Sequence, residues 1–266
     1  MAEVAIERRG GVAYVEIRNL RKHNAMTEAM WLAFGDAIAS LGAEPDIRAI
    51  VVRGEGERAF VSGADIGELD RHQDDAARVR FDAAVSRACA APVACDKPVI
   101  AVVRGICMGG GLGLAAACDL RLCTPDARFR MPAARMGVGY DPVGVRRLVQ
   151  LVGPAAALDL FATAREFDAR EALRIGFASQ VIDAAGLDAV VATMTDAIVA
   201  NAPLTIVAAK RAVRAALGGD APAARDAPDA LYAAARAAVD ACSVSDDRRE
   251  GARAFVEKRP PRFTGH

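Results

Sequence analysis

The chain predicts an α/β fold with largely parallel strands, and three observations carry that prediction. Two β-branched runs, Ile47 to Val52 and Val99-Ile100-Ala101-Val102-Val103, are short, apolar and followed by Gly54 and Gly105, as fully buried strands tend to be. Helical patterns stand between and after them, so that strand, glycine-rich turn, helix and strand repeat through the first half. After residue 150 the repeat gives way to successive alanine-rich helical segments.

Residues 3–8 and 12–18 alternate in polarity around Gly10-Gly11, which predicts a hairpin. Thr27 is placed to cap a helix that carries Met30, Trp31, Phe34, Ile38 and Leu41 at helical spacing. The strand over 47–52 is followed by a polar stretch to Ser62 and then by a helix with a charged face through residues 74–90. Val99–Val103 runs into Gly105, a glycine triplet and an alanine-rich helix, after which Leu120-Arg121-Leu122-Cys123 reads as another short strand. The later helices are separated by Gly153-Pro154, Gly176, Gly186, Pro203, Gly218-Gly219 and Pro228. Alanine favours helix but leaves small apolar faces, so these helices need the core or another subunit to lie on.

Composition narrows the function. Hydrophobic residues make up 53% and charged residues 26% of 266, ordinary for a chain that buries a core. Lys+Arg and Asp+Glu are both 34, and aromatics are only 5%, which argues against a nucleic-acid surface. The six cysteines show no CxxC pair and no ligand spacing with the three histidines, so they read as small core residues in a reducing compartment, with no metal site. The start, Met1-Ala2-Glu3-Val4-Ala5, lacks a basic and apolar leader pattern, and no apolar run approaches a membrane span. The expectation is a soluble, cytoplasmic protein.

Three motifs carry chemistry: Ser62-Gly63-Ala64-Asp65-Ile66, Gly105-Ile106-Cys107-Met108-Gly109-Gly110-Gly111-Leu112-Gly113, and Phe129-Arg130-Met131-Pro132-Ala133. Each of the first two puts small residues at a turn where a helix begins and backbone N–H groups are unengaged. A tight turn or a dinucleotide fingerprint would also use such glycines. The nearest fingerprint match, Gly111-Leu112-Gly113-Leu114-Ala115-Ala116, lacks an acidic residue about 20 positions on. With the ending Lys258-Arg259-Pro260-Pro261-Arg262-Phe263, the motifs resemble the enoyl-CoA hydratase/isomerase (crotonase) superfamily over nearly the whole chain.

The resemblance implies a ββα spiral core over residues 1–200 and a C-terminal helical region over 201–266 that packs on the core or a neighbouring subunit, giving a trimer or a dimer of trimers. It implies that Ala64 and Gly110 each aim an N–H at a thioester oxygen, each such donor typically being worth roughly 3–4 kcal/mol in the transition state. Coenzyme A would enter as part of the substrate, with no separate cofactor. Its path would follow Ala64, Asp65, Ile66 and Gly67, and its phosphates would meet cations from the segment before Asn24-Ala25-Met26 (Arg21, Lys22, His23) and from Lys258. Each of these cations reads equally well as a solvated surface charge. Asp65 reads as a cap or an ion-pair partner.

The departures matter most. The superfamily's hydratases place one glutamate two residues after the glycine triplet and one directly after the proline; here Gly113 and Ala133 stand there. Neither can move a proton. The remaining candidates lie in Met136-Gly137-Val138-Gly139-Tyr140-Asp141-Pro142-Val143-Gly144, a loop that the resemblance brings over the acyl end. Asp141 falls where dienoyl-CoA isomerases and aroyl-CoA dehalogenases carry a functional aspartate, and could act as base or nucleophile; Asp-Pro is also a common turn. Tyr140 replaces the usual proline and falls where malonyl-type decarboxylases place a tyrosine. Arg135, His72 and Glu68 are weaker candidates. The expectation is an acyl-CoA enzyme working through a stabilised enolate, as isomerase, decarboxylase or another lyase; the alternatives are a hydratase that activates water from an atypical position and a silent CoA-thioester binder or structural subunit.

Overall fold

The computed structural model describes residues 2–69, 74–218 and 228–266, without the side chains of Ile66, Leu69, Pro228 and Asp229. The hairpin forms as expected. Strands β1 (Glu3–Arg9) and β2 (Val12–Arg18) pair antiparallel from Glu3↔Arg18 to Arg9↔Val12. Gly10 and Gly11 between them take φ 54° and 86°, the pair of positive values a two-residue hairpin turn requires. Helix α1 (Glu28–Ala43) follows, and the Thr27 hydroxyl accepts from the Met30 N–H at 3.2 Å. Its inward face is Met30, Trp31, Phe34, Ile38 and Leu41, all buried. Each contributes about 1.5–3 kcal/mol of burial free energy.

From there the chain alternates between two sheets. Strands β3 (Ala49–Gly54), β5 (Val99–Val103) and β7 (Leu120–Cys123) extend the hairpin into one sheet by parallel pairing. Strands β4 (Ala59–Val61), β6 (Ile106–Met108) and β8 (Arg128–Arg130) form a second sheet, also parallel. Helices α2 (Ile66–Leu69), α3 (Asp75–Ala94) and α4 (Gly110–Ala117) fill the returns. Two strands and a helix per turn make a spiral.

The sequence predicts only one strand in each turn. The three strands it misses have three residues each, too short for periodicity to register. Gly105 therefore does not end a strand but bends the chain from one sheet into the other. At φ 58°, its added Cβ would stand 2.1 Å from the Arg58 carbonyl oxygen. The predicted strand at 47–52 begins two residues later, and the helix at 74–90 runs on to Ala94 with Pro92 inside it.

The second half holds α5 (Ala133–Met136), α6 (Pro142–Thr163), β9 (Glu166–Asp168), α7 (Ala169–Arg174), β10 (Gln180–Val181) and α8 (Ala184–Ala200). Strand β9 is antiparallel to β8, a departure from the parallel pattern, while β10 runs parallel to β7. Gly153 interrupts α6 at φ 78°, ψ 163°, so the expected break survives as a kink. Gly186 is no break, because it sits in the first turn of α8.

Helices α9 (Pro203–Ala216), α10 (Pro228–Val244) and α11 (Asp246–Glu257) end the fold. Helix α9 is tied to the core by Lys210, whose ammonium donates to the Pro92 and Lys97 carbonyls and to Asp119, and by a two-pronged Arg211–Asp96 pair. No single helix among the described residues is long and apolar enough to cross a membrane.

The main core lies between the sheets and α1, α3, α4 and α6. A smaller one covers the other face of the large sheet, where Leu187 and Val191 of α8 meet Val51, Ile100 and Leu122. Five cysteines are buried and Cys242 is half-buried, none in a disulfide, and no cluster that could hold a metal occurs among the described residues.

Candidate active site

Two turns come together where β4 and β6 end. Met26 pairs with Ala64: its N–H donates to the Gly63 carbonyl at 2.9 Å, and the Asp65 N–H donates to the Met26 carbonyl at 2.9 Å. Parallel pairing of this kind leaves the Ala64 N–H outside the ladder. Gly110 opens α4, where an N–H has no intrahelical acceptor. A Cβ added to Gly63 would stand 3.8 Å from the Gly110 nitrogen, and one added to Gly109 would stand 3.9 Å from the Gly63 Cα. The two turns thus touch through their glycines, with the positive end of α4 between them.

The frame around this pair is tight. A Cβ on Gly111 would lie 2.1 Å from the Val61 carbonyl oxygen, so only glycine lets α4 approach β4. Beneath Gly110 lies the wholly buried Trp31 indole, whose Cζ2 would be 3.0 Å from a Gly110 Cβ. Asn24, also wholly buried and at φ 57°, donates to the Glu55 and Ala59 carbonyls and accepts from the Asn19 N–H. These bonds hold the 19–26 segment against β4. The sequence pointed to the cations of this segment rather than to its asparagine.

Lys22 and Asp65 pair directly, with Nζ at 2.8 and 2.6 Å from the two carboxylate oxygens. Asp65 is buried and also accepts from the Gly67 N–H at 3.0 Å, so it serves as cap and ion-pair partner together. Ala25 is buried in the same turn, and Ile66 and Gly67 open α2. Lys22 is therefore a half-exposed cation tied through Asp65 to the turn that holds Ala64. Glu68 accepts from the Glu28 N–H at 2.7 Å and so caps α1. Lys258 closes α11 in the left-handed conformation, exposed, on the C-terminal helices rather than on the turns. His72 lies outside the described residues.

At the other end of the site stands one aromatic side chain. The Tyr140 hydroxyl would be 2.2 Å from a Cβ on Gly113, and its ring 2.7 Å from a Cβ on Gly144. Glycine at both positions makes the room the ring fills, and Phe161 packs on it at 5.3 Å between centroids. The Cys89 sulfur would be 4.0 Å from the same Gly113 Cβ. Burial pushes the Tyr140 hydroxyl pKa up, with further upward pressure from Cys89 and Asp141 against a downward pull from Arg147. Burial likewise pushes the Cys89 thiol up to about 12. Both are thus neutral donors at ordinary pH. Gly144 stands in the loop the sequence singled out, whereas Cys89, beside Gly113, and Arg147, whose charge bears on Tyr140, come to the site only in the fold.

Asp141 is placed differently. It is exposed and caps α6: one oxygen accepts from the Val143 N–H at 3.0 Å and the other from the Ser86 hydroxyl at 3.3 Å. The structure thus sets Tyr140, and not Asp141, against Gly113. Ala133 opens α5 beside Pro132, and Arg135 is exposed on that helix.

A family model described as enoyl-CoA hydratase/isomerase matches residues 7–266. The short-chain-enoyl-CoA hydratase of Clostridium acetobutylicum is 31% identical over 96% of this chain and 95% of that protein. The peroxisomal Delta(3,5)-Delta(2,4)-dienoyl-CoA isomerase of Arabidopsis thaliana is 32% identical over 90% of this chain and 88% of its own. Among solved structures, an enoyl-CoA hydratase/carnithine racemase from Magnetospirillum magneticum superposes with TM-score 0.88 at 31% identity, covering 100% of this chain and 97% of that one.

Proposed function

Since the chain belongs to the enoyl-CoA hydratase/isomerase (crotonase) family, we propose that it cleaves a carbon–carbon bond at the α-carbon of an acyl-CoA thioester, as a decarboxylase of malonyl-type substrates. The observation that carries this reading is the Tyr140 hydroxyl seated against Gly113. A hydratase or isomerase must take a proton from carbon or water, which needs a group that is basic at working pH. A phenol whose pKa is pushed up by burial is no such base. Decarboxylation needs none, because the departing carboxylate leaves its electron pair behind.

In the proposed sequence the thioester oxygen takes hydrogen bonds from the Ala64 and Gly110 N–H groups. The bond between the α-carbon and the carboxylate breaks, carbon dioxide leaves, and the pair delocalises onto the thioester oxygen as an enolate. The N–H pair and the α4 dipole stabilise that charge as it develops. The α-carbon then takes one proton from solvent, passed through the Tyr140 hydroxyl, and a carboxyl-free acyl-CoA results. Coenzyme A is carried by the substrate, with Lys22 and Lys258 as candidate partners for its phosphates. Exposed Val213 on α9, Leu217 at its end, and Tyr232 and Val239 on α10 support assembly into trimers or dimers of trimers.

The test is mass spectrometry of saturated, enoyl, dienoyl, malonyl-type and aroyl CoA thioesters incubated with the protein in D2O. The expected result is loss of CO2 from malonyl-type substrates with one deuterium gained at the α-carbon. Turnover of enoyl or dienoyl thioesters alone would overturn the decarboxylase reading. Binding without turnover of any substrate, followed through the fluorescence of Trp31, the chain's single tryptophan, would identify a silent binder.

A further inference from the structure

We propose that Arg121 is a positioning residue that sets the polarising strength of the Ala64–Gly110 donor pair from the opposite end of α4. The inference rests on reading that pair as the thioester-oxygen site. Arg121 belongs to β7, yet it is only 5% exposed, and its guanidinium turns back onto the end of the helix it follows. It donates to the Ala115 carbonyl at 3.3 Å and to the Cys118 carbonyl, which close α4, and to the Phe177 carbonyl. Its carbon lies 5.8 Å from the centre of the Phe177 ring. The backbone is pinned on both sides, the Arg121 N–H donating to the Ser179 hydroxyl at 3.1 Å and the Ser179 N–H to the Arg121 carbonyl at 2.8 Å.

A buried guanidinium is an expensive way to fill space, and an apolar side chain would do that with less desolvation. Asp119, the carboxylate whose charge bears on it, is itself engaged by the Lys210 ammonium at 2.6 Å and the Val99 N–H at 2.7 Å. What Arg121 meets directly is carbonyl oxygen. Helix α4 has eight residues, a length of about 12 Å, so its two ends influence each other. The carbonyls of a helix's last turn carry the negative pole of its dipole, and here the Ala115 oxygen takes the guanidinium besides the Cys118 N–H at 3.2 Å. A guanidinium on them cancels that pole and leaves the positive pole at Gly110 less opposed. Its fork also fixes the rear of a helix whose front is set by Gly111 on Val61, and with it the direction of the Gly110 N–H.

The experiment uses 4-(dimethylamino)cinnamoyl-CoA, a conjugated thioester whose absorbance moves to the red as its carbonyl is polarised. Wild type, Arg121→Lys, Arg121→Gln and Arg121→Met are compared for red shift and dissociation constant. Leu187→Ala serves as a structural control, since it loosens the opposite face of the sheet. The red shift is expected to fall by about half or more in the Gln and Met variants, with binding roughly fivefold to tenfold weaker, the scale of one charge acting at a distance through a partly screened interior. Lys keeps the charge but cannot span three carbonyls, so its shift should be intermediate. Leu187→Ala should lower the melting temperature and leave the shift unchanged. Any folded Arg121 variant with the wild-type red shift overturns the proposal, and Lys carries the test if the neutral variants do not fold. Wild type that binds the probe without a red shift would instead overturn the thioester-oxygen reading.

Discussion

The two ends of the candidate site are held by different means. The donor end is backbone set against backbone: Gly111 on Val61, Gly63 beside Gly109, Met26 laddered to Ala64. The other end is one side chain, Tyr140, fitted between two glycines under an exposed loop. A site made of backbone approach cannot drift without moving helices and strands. A site made by one side chain can be refitted locally. The end proposed to meet the thioester is therefore tied to the fold, while the end proposed to select the reaction is nearly separable from it.

The largest effect should come from testing that asymmetry with one substitution at each end. Gly111→Ala places a Cβ 2.1 Å from the Val61 carbonyl oxygen and 2.8 Å from its carbonyl carbon. Relief requires α4 to leave β4, so a loss of about 3 kcal/mol or more is expected in chemical denaturation. Gly113→Ala makes an equally short contact, 2.2 Å, but with the far end of a side chain. It should cost only about 1 kcal/mol while displacing the hydroxyl. Equal losses at the two positions would break the comparison.

Next in size is Tyr140→Phe. Removing the hydroxyl alone should lower turnover of a malonyl-type thioester by about 100-fold, in the range of a lost proton-transfer group. The dissociation constant should change by less than about threefold, since uniform binding is untouched. The wild-type rate should also show no alkaline break near the ordinary tyrosine value of 10.0. A raised pKa keeps the proton on the oxygen as pH climbs through that value, so a break there would contradict the neutral-donor role.

A smaller and sharper effect follows from combining the two changes. The Tyr140 ring carbon bearing the hydroxyl is 3.5 Å from the Gly113 Cβ position, an ordinary contact once the oxygen is gone. Gly113→Ala should therefore be nearly neutral in a Tyr140→Phe background, with a coupling of about 0.5–1 kcal/mol between the sites. Additive losses in the double-mutant cycle would mean that the hydroxyl does not occupy that space.

The same contrast explains what the sequence made legible. Backbone-built features leave signs in chain order: glycine triplets, small residues before helices, β-branched runs. Hence the hairpin, α1, β3, β5, β7 and the turns at Ala64 and Gly110 were readable. Strands β4, β6 and β8 were not, because three residues carry no period. Side-chain-built features depend on partners distant in sequence. Cys89, Gly113, Tyr140 and Gly144 come from three helices and a loop; the last three stand in segments the sequence singled out, but no spacing rule brings the four together. Arg121 was hidden for a related reason: an arginine in a strand reads as surface until the fold turns it onto a helix end.

The smallest expected effect concerns Asp141, which the sequence put ahead of Tyr140. The structure gives both of its oxygens structural work, one on the Val143 N–H and one on the Ser86 hydroxyl. Asparagine caps helices about as well as aspartate, so Asp141→Asn should change stability by only a few tenths of a kcal/mol. If the carboxylate is a cap, turnover should stay within about threefold of wild type, because a cap acts through position and not through charge at the α-carbon. If it is a base or nucleophile, turnover should fall by about 100-fold or more, since an amide can neither accept that proton nor attack. Turnover by Asp141→Asn and Tyr140→Phe on the same substrate therefore decides which residue of the pair takes part in the reaction.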